Sequence, residues 1–162
     1  TRTSPETFAE QREPVNVHVV AQEVISDLYG AIENKNQEIA LEGKEAWLLS
    51  SQFVLYTLLQ NLVSNASKYS PSGAQIIIRI ERRKDELILS VCDSGPGIPA
   101  DQRAVVLNRF KRASNSSPHS GSGLGLAIVE QIVVLHGAEL SLDESSLGGL
   151  EVRVAFSNDY IL

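Results

Sequence analysis

The chain has 162 residues, 43% of them hydrophobic, and 20 acidic against 14 basic side chains leave a net charge of -6. That length suffices for one well-buried core and not for two ordinary domains. The acidic balance excludes a general electrostatic affinity for nucleic acid or an anionic membrane.

The single cysteine, Cys92, excludes an internal disulfide and any cysteine-built metal site, and cysteine usage fits a cytosolic compartment. No apolar run nears the roughly 20 residues needed to span a bilayer, and no signal-peptide pattern opens the chain, so no direct membrane contact is expected. With no methionine anywhere, the sequence reads as a fragment or processed product of something longer.

In chain order, residues 1–13 are polar and aperiodic and read as a linker remnant, followed by one domain over 14–162. Across 15–36, Val20, Val24, Leu28 and Ile32 recur every four residues, which predicts a helix with one apolar face. "EIALEG" reads as a short strand and "AWLL" as a possible second. Ser50 or Ser51 can cap a long helix over about 51–70, ended by "SPSG". "AQIIIRIERR" and "ELILSVCDS" alternate as two strands joined by a charged hairpin at Lys84 and Asp85. "GPGIPA" turns into a short helix near 100–109, and the Ser- and Gly-rich stretch 111–122 predicts a mobile loop. A helix over about 123–136 stops at Gly137, and "AELSLDE" and "LEVRVAF" close the chain as strands. Strands segregated beside helices predict an α+β fold, a two-layer α/β sandwich.

Three stretches carry chemistry. "LLQNLVSNASKYS" sets Asn61, Asn65 and Tyr69 in a row on one edge of the long helix, apart from the core face of Leu55, Leu58, Leu59, Leu62, Val63 and Ala66. A buried amide without partners costs about 1–3 kcal/mol, so these amides need company. Their oxygens can converge on Mg²⁺, a hard ion that takes neutral oxygen ligands when a nucleotide supplies the charge, and Lys68 could reach a phosphate. Solvated amides, or amides bonded to nearby loops, would explain the same pair. "DSGPGI" follows an apolar strand directly, placing Asp93 to accept from an amine such as N6 of adenine while Gly95 and Gly97 let the backbone approach a flat base; an ordinary turn is the alternative. "GSGLGLAIV" opens a helix on glycines, an arrangement that offers free N–H groups to phosphate. It is neither the Walker pattern, because no Lys-Ser or Lys-Thr follows, nor the dinucleotide fingerprint, because Gly125 comes one residue too soon.

Together and in this order, these pieces resemble the catalytic, ATP-binding domain of bacterial two-component sensor histidine kinases. "NLVSNASKYS" resembles that family's N box, "DSGPGI" its first glycine box, "NRFKRAS" its F box and "GSGLGLAIV" its second glycine box. The resemblance implies a mixed, largely antiparallel sheet of about five strands packed against three helices, with a mobile ATP lid over roughly 109–122. It implies ATP and Mg²⁺ as cofactors. Asn61 and Asn65 would sit at the metal, Lys68 near the phosphates and Tyr69 near adenine. Asp93 would take the adenine amine, with Gly95 and Gly97 shaping the pocket and Ile98 and Leu126 lining it. Phe110 would anchor the lid, Arg112 would face the γ-phosphate, and Gly121, Gly123, Leu124 and Gly125 would present backbone to the phosphates. Arg109 and Lys111 are further lid cations.

The family's phosphoacceptor histidine is not among His18, His119 and His136, so the implied partners are a separate dimerisation and histidine phosphotransfer domain and, beyond it, a response regulator. The implied location is the cytoplasmic side of a bacterial inner membrane, as part of a membrane sensor. Related ATPases carry a glutamate base four residues before the metal asparagine; here that position is Asn61. An ATPase of this fold, a serine kinase of the anti-sigma type and a catalytically inactive nucleotide-binding module are the other readings.

Overall fold

The computed structural model describes the backbone of residues 11–113 and 123–162, and the side chains of these except 110–113 and 123–126. Strand β1 (Glu13–Asn16) leads into helix α1 (Val17–Asn34), then β2 (Glu38–Gly43), β3 (Trp47–Ser50) and helix α2 (Gln52–Lys68). The hairpin β4 (Gln75–Arg83) and β5 (Glu86–Asp93) precedes helix α3 (Ala100–Ala113), helix α4 (Gly123–Leu135), β6 (Glu139–Glu144), β7 (Leu150–Ser157) and a short 3-10 turn, Asn158–Tyr160.

Five strands form one sheet in the order β2-β4-β5-β7-β6. Only the β2–β4 pair is parallel; β4–β5, β5–β7 and β6–β7 run antiparallel. The register follows from side-chain alternation. Ile76, Ile78 and Ile80 on β4, Leu87, Leu89 and Val91 on β5, and Val152, Val154 and Phe156 on β7 all turn to one buried face. Helix α2 answers with Leu55, Leu58, Leu59, Leu62, Val63 and Ala66, and α4 with Val129, Ile132 and Val133. These residues make one contiguous core between a helical layer and the sheet. Full burial of each Leu, Ile or Val side chain stabilises by about 1.5–3 kcal/mol, so this layer contact dominates the fold.

The sandwich and its mixed sheet match the sequence reading, with three differences. The first helix begins at Val17, not residue 15, because Asn16 caps it: the Asn16 Oδ1 accepts from the His18 and Val19 N–H groups at 3.0 and 3.3 Å. The residues before it instead pair antiparallel with β3, Val15 against Leu48. The short helix expected near 100–109 runs on from Ala100 to Ala113, so it takes in the first residues of the region expected to form the lid and stands beside the three helices that the resemblance implies. The remainder of that region, 114–122, lies outside the described residues.

Helix α2 starts as its sequence indicates, with Ser51 Oγ accepting from the Val54 N–H at 3.3 Å. No helix among the described residues is long and apolar enough to cross a membrane.

Candidate nucleotide site

Where the C-terminal half of α2 passes over the end of β5, the two layers part around a cavity of about 460 Å³. Its walls are largely apolar: Leu62 and Ala66 from α2, Val91 from β5, Ile98 from the following turn, and Leu150 and Val152 from β7. Four polar side chains reach it, Asn65, Tyr69, Asp93 and Arg109. Slots of this size and character, apolar with a few convergent polar groups, suit small organic ligands.

Asp93 is the last residue of β5 and is only 7% exposed. Its Oδ1 accepts from the backbone N–H groups of Gly95 and Leu150, at 2.9 and 3.1 Å. Its own carbonyl accepts from Ser145 Oγ at 2.6 Å and from the Gly149 N–H at 3.2 Å. The carboxylate is thus fixed through one oxygen while Oδ2 makes no hydrogen bond among the described residues. A rigid acceptor at the edge of an apolar slot can recognise an amino group on a flat ring.

Two glycines make this possible. Gly97 has φ +71°, a left-handed conformation that side chains disfavour, and a Cβ there would stand 3.3 Å from the Gly149 carbonyl. A Cβ on Gly149 would stand 2.2 Å from Asp93 Oδ1, so the backbone of the β6–β7 turn lies directly against the carboxylate. Arg103 secures the other side, its Nε donating to the Ile98 carbonyl at 3.1 Å and its guanidinium 3.8 Å from Asp143.

On α2, Asn65 and Tyr69 line the cavity one turn apart, as the four-residue spacing indicates. Asn61 stands a turn earlier and off the wall. Its Nδ2 donates to the Thr57 carbonyl at 2.7 Å, and its amide oxygen makes no hydrogen bond among the described residues. Lys68 is exposed, with Nζ 5.4 Å from the Tyr69 ring centroid. Of the expected residues, then, the cavity gathers Asn65, Tyr69, Asp93, Gly97 and Ile98, with Gly95 bonded to Asp93 behind it. Asn61 and Lys68 flank it. Phe110, Lys111, Arg112, Gly123, Leu124, Gly125 and Leu126 have no described side chains, and His119 and Gly121 lie outside the described residues altogether.

The expectation that His136 is no phosphoacceptor has a physical basis in its surroundings. The ring is fully buried, with Nε2 2.8 Å from Ser50 Oγ and Nδ1 2.8 Å from the Ile132 carbonyl.

Residues 51–159 match the family model described as histidine kinase-, DNA gyrase B-, and HSP90-like ATPase. The chain belongs to this family.

Within the family it is an ATP-binding catalytic domain of the sensor histidine kinase type. It is 36% identical over 154 residues to the sensor protein kinase PmrB of Pseudomonas aeruginosa, an alignment covering 94% of this chain and 32% of that protein. It is 44% identical over 92 residues to the signal transduction histidine-protein kinase/phosphatase MprB of Mycolicibacterium smegmatis, covering 55% of this chain and 18% of that one. The chain therefore spans about a third or less of these relatives. Among solved structures, a mycobacterial sensor histidine kinase MprB superposes with TM-score 0.74 at 28% identity, covering 90% of this chain and 97% of that one. The catalytic domain of histidine kinase ThkA, at 22% identity, shares the fold with TM-score 0.76, covering 91% and 97%.

Several wall residues of this histidine kinase-type domain escape sequence reasoning. Leu62, Ala66, Val91 and Val152 obey the same periodicity as the core, and nothing marks them as lining a slot. Gly149 had a signal, the Gly-Gly pair ahead of an alternating strand, but the reason for it is a contact with a residue 56 positions earlier.

Proposed function

We propose that the domain binds Mg-ATP with its adenine in the slot at Asp93 and passes the γ-phosphate to a histidine on a separate dimerisation and phosphotransfer domain, for onward transfer to a response regulator. The observation that carries this reading is the half-satisfied Asp93 carboxylate at the edge of an apolar cavity whose opposite wall bears Asn65. The donor set fits Mg²⁺: Asn65 lines the cavity, and one turn away the Asn61 amide oxygen makes no hydrogen bond among the described residues. Neutral amides suit a hard cation whose remaining ligands are water and phosphate oxygens. That ion would neutralise charge on the triphosphate.

The chain's own residues would do the rest by positioning. Tyr69 and Ile98 would flank the base, Asp93 would read its amine, and Lys68 and Arg109 would be within reach of phosphate. In phosphoryl transfer the new N–P bond forms as the bond to the bridging oxygen breaks and ADP departs, so placement and charge neutralisation are the main contributions. The host protein is read as a bacterial inner-membrane sensor with this domain on the cytoplasmic side.

Calorimetric titration with Mg-ATP, run beside an Asp93→Asn variant, tests the site. Saturable heat in the parent and its loss in the variant are expected. A parent that takes up no Mg-ATP sinks the reading. Mixing the chain with the hairpin domain of its own kinase should then yield acid-labile phosphohistidine, and none would leave a nucleotide-binding module alone.

A further inference from the structure

The C-terminal end of α2 is held by one buried side chain that takes no part in the site. Gln37 follows α1 and is 5% exposed. Its Nε2 donates to three backbone carbonyls, those of Ser67, Ser70 and Pro71, at 3.1, 3.1 and 3.2 Å. Its Oε1 accepts from Ser67 Oγ at 2.6 Å. Only this amide orientation satisfies the set, because the reverse would set an oxygen against three carbonyls. Gln37 is itself fixed: its N–H donates to the Ile32 carbonyl at 3.0 Å, and the neighbouring backbone of Asn36 and Glu38 bonds to Gly73 and Ala74.

The residues between the gripped carbonyls of Ser67 and Ser70 are Lys68 and Tyr69, and Tyr69 lines the cavity. Ser70 reaches further. A Cβ on Gly95 would meet Ser70 Oγ at 2.9 Å and Ser70 Cα at 3.4 Å, with Asp93 Oδ1 at 3.2 Å. Gly95 in turn donates its N–H to that Oδ1. A line of close approaches therefore runs from Gln37 through Ser70 and Gly95 to the carboxylate, too tight at Gly95 for any side chain. The Ser70 hydroxyl, buried and without a hydrogen-bond partner, contributes no polar tether of its own. Its backbone is placed by Gln37.

We propose that Gln37 is a positioning residue for the base pocket: by gripping the chain on both sides of Lys68 and Tyr69 and seating Ser70 against Gly95, it sets the spacing between Tyr69 and Asp93. This rests on the nucleotide reading given above. The test uses Gln37→Met, similar in length but without donors, and the milder Ser67→Ala, which removes only the bond that orients the amide. A third variant, Leu87→Val, weakens the core at the far end of β5, about 20 Å from Asp93 along the strand. Kd is measured calorimetrically for Mg-ATP and for adenosine, which probes the base end alone, and the urea midpoint is recorded for each variant.

Gln37→Met should raise both constants by about tenfold or more, since small misplacements at a site are costly. Ser67→Ala should raise them about two- to fivefold in the same ratio, and Leu87→Val should lower the urea midpoint with both constants unchanged. If Gln37→Met does not fold, the Ser67→Ala result decides. Glutamine and serine variants that lose stability yet keep both constants within about twofold of the parent overturn the inference and leave Gln37 as a structural fastener. A parent that binds no Mg-ATP overturns the functional reading itself.

Discussion

A methyl group on Gly149 would stand 2.2 Å from Asp93 Oδ1 and 2.4 Å from the Asp93 carbonyl oxygen, both inside van der Waals contact. Neither oxygen belongs to a flexible chain end, because both already accept backbone or hydroxyl hydrogen bonds. Gly149→Ala must therefore push the β6–β7 turn away from β5 or rotate the carboxylate. The expected cost is about 1–3 kcal/mol of stability, typical of overpacking, with a loss of Mg-ATP affinity of about tenfold or more because Asp93 loses its aim. Urea titration and calorimetry on one preparation check both parts, and unchanged affinity would show that the turn does not hold the carboxylate. This residue also marks a boundary of what sequence reveals. Asp93 stood out as an acid ending an apolar strand just ahead of Gly-Pro-Gly, although an ordinary turn would account for it as well, and its Oδ1 does accept from the Gly95 N–H two residues on. Gly149 did not stand out, because its constraint is a contact between distant segments and leaves no local periodicity.

Helices and strands were legible where a long apolar pattern is bounded by clear signals. The asparagine-bearing helix and the β4–β5 hairpin fall within a residue or two of their expected bounds, since apolar spacing, a serine cap and a charged turn all agree there. Strand β1 was not legible: four residues cannot establish alternation, and the strand exists only by pairing with β3 more than 30 residues later. Helix α4 raises a different matter, since the buried His136 follows its last residue. Burial holds that imidazole below its usual pKa, as does the nearby Arg12 guanidinium, and the hydrogen bond to the Ile132 carbonyl opposes them. Because the folded state resists protonation, the unfolded chain takes up a proton near the ordinary value of about 6.5, at a higher pH than the folded chain does. Stability from this group is complete above about pH 6.5 and declines as pH falls below it. Between about pH 7.5 and 5.5 the parent should therefore lose stability through His136. Urea midpoints at the two pH values, compared with His136→Gln, measure it; an equal decline in the variant would assign the effect elsewhere.

At the scale of the whole molecule the question is what becomes of bound ATP when no acceptor domain is present. Attack by water needs a base, and related ATPases place a glutamate where this chain has Asn61. The Asn61 Nδ2 is committed to the Thr57 carbonyl, and the amide oxygen cannot take a proton from water at neutral pH. Aspartate and glutamate are also sparse around the cavity, where Asp93 is the one carboxylate among the described lining residues and is tied to two backbone donors. The isolated chain should therefore hold Mg-ATP and release phosphate far more slowly than about 1 s⁻¹, the low end of ordinary turnover. Slow release has meaning only for a loaded protein, so occupancy must be read on the same sample. At a hundred times Kd the ligand should add about 2.7 kcal/mol to stability, a rise in Tm of about 5–10 °C for a domain of this size. A raised Tm with negligible phosphate release fits a donor that waits for its acceptor. A raised Tm with release at or above about 1 s⁻¹ would mean that another group activates water, and would move the domain from phosphotransfer to hydrolysis.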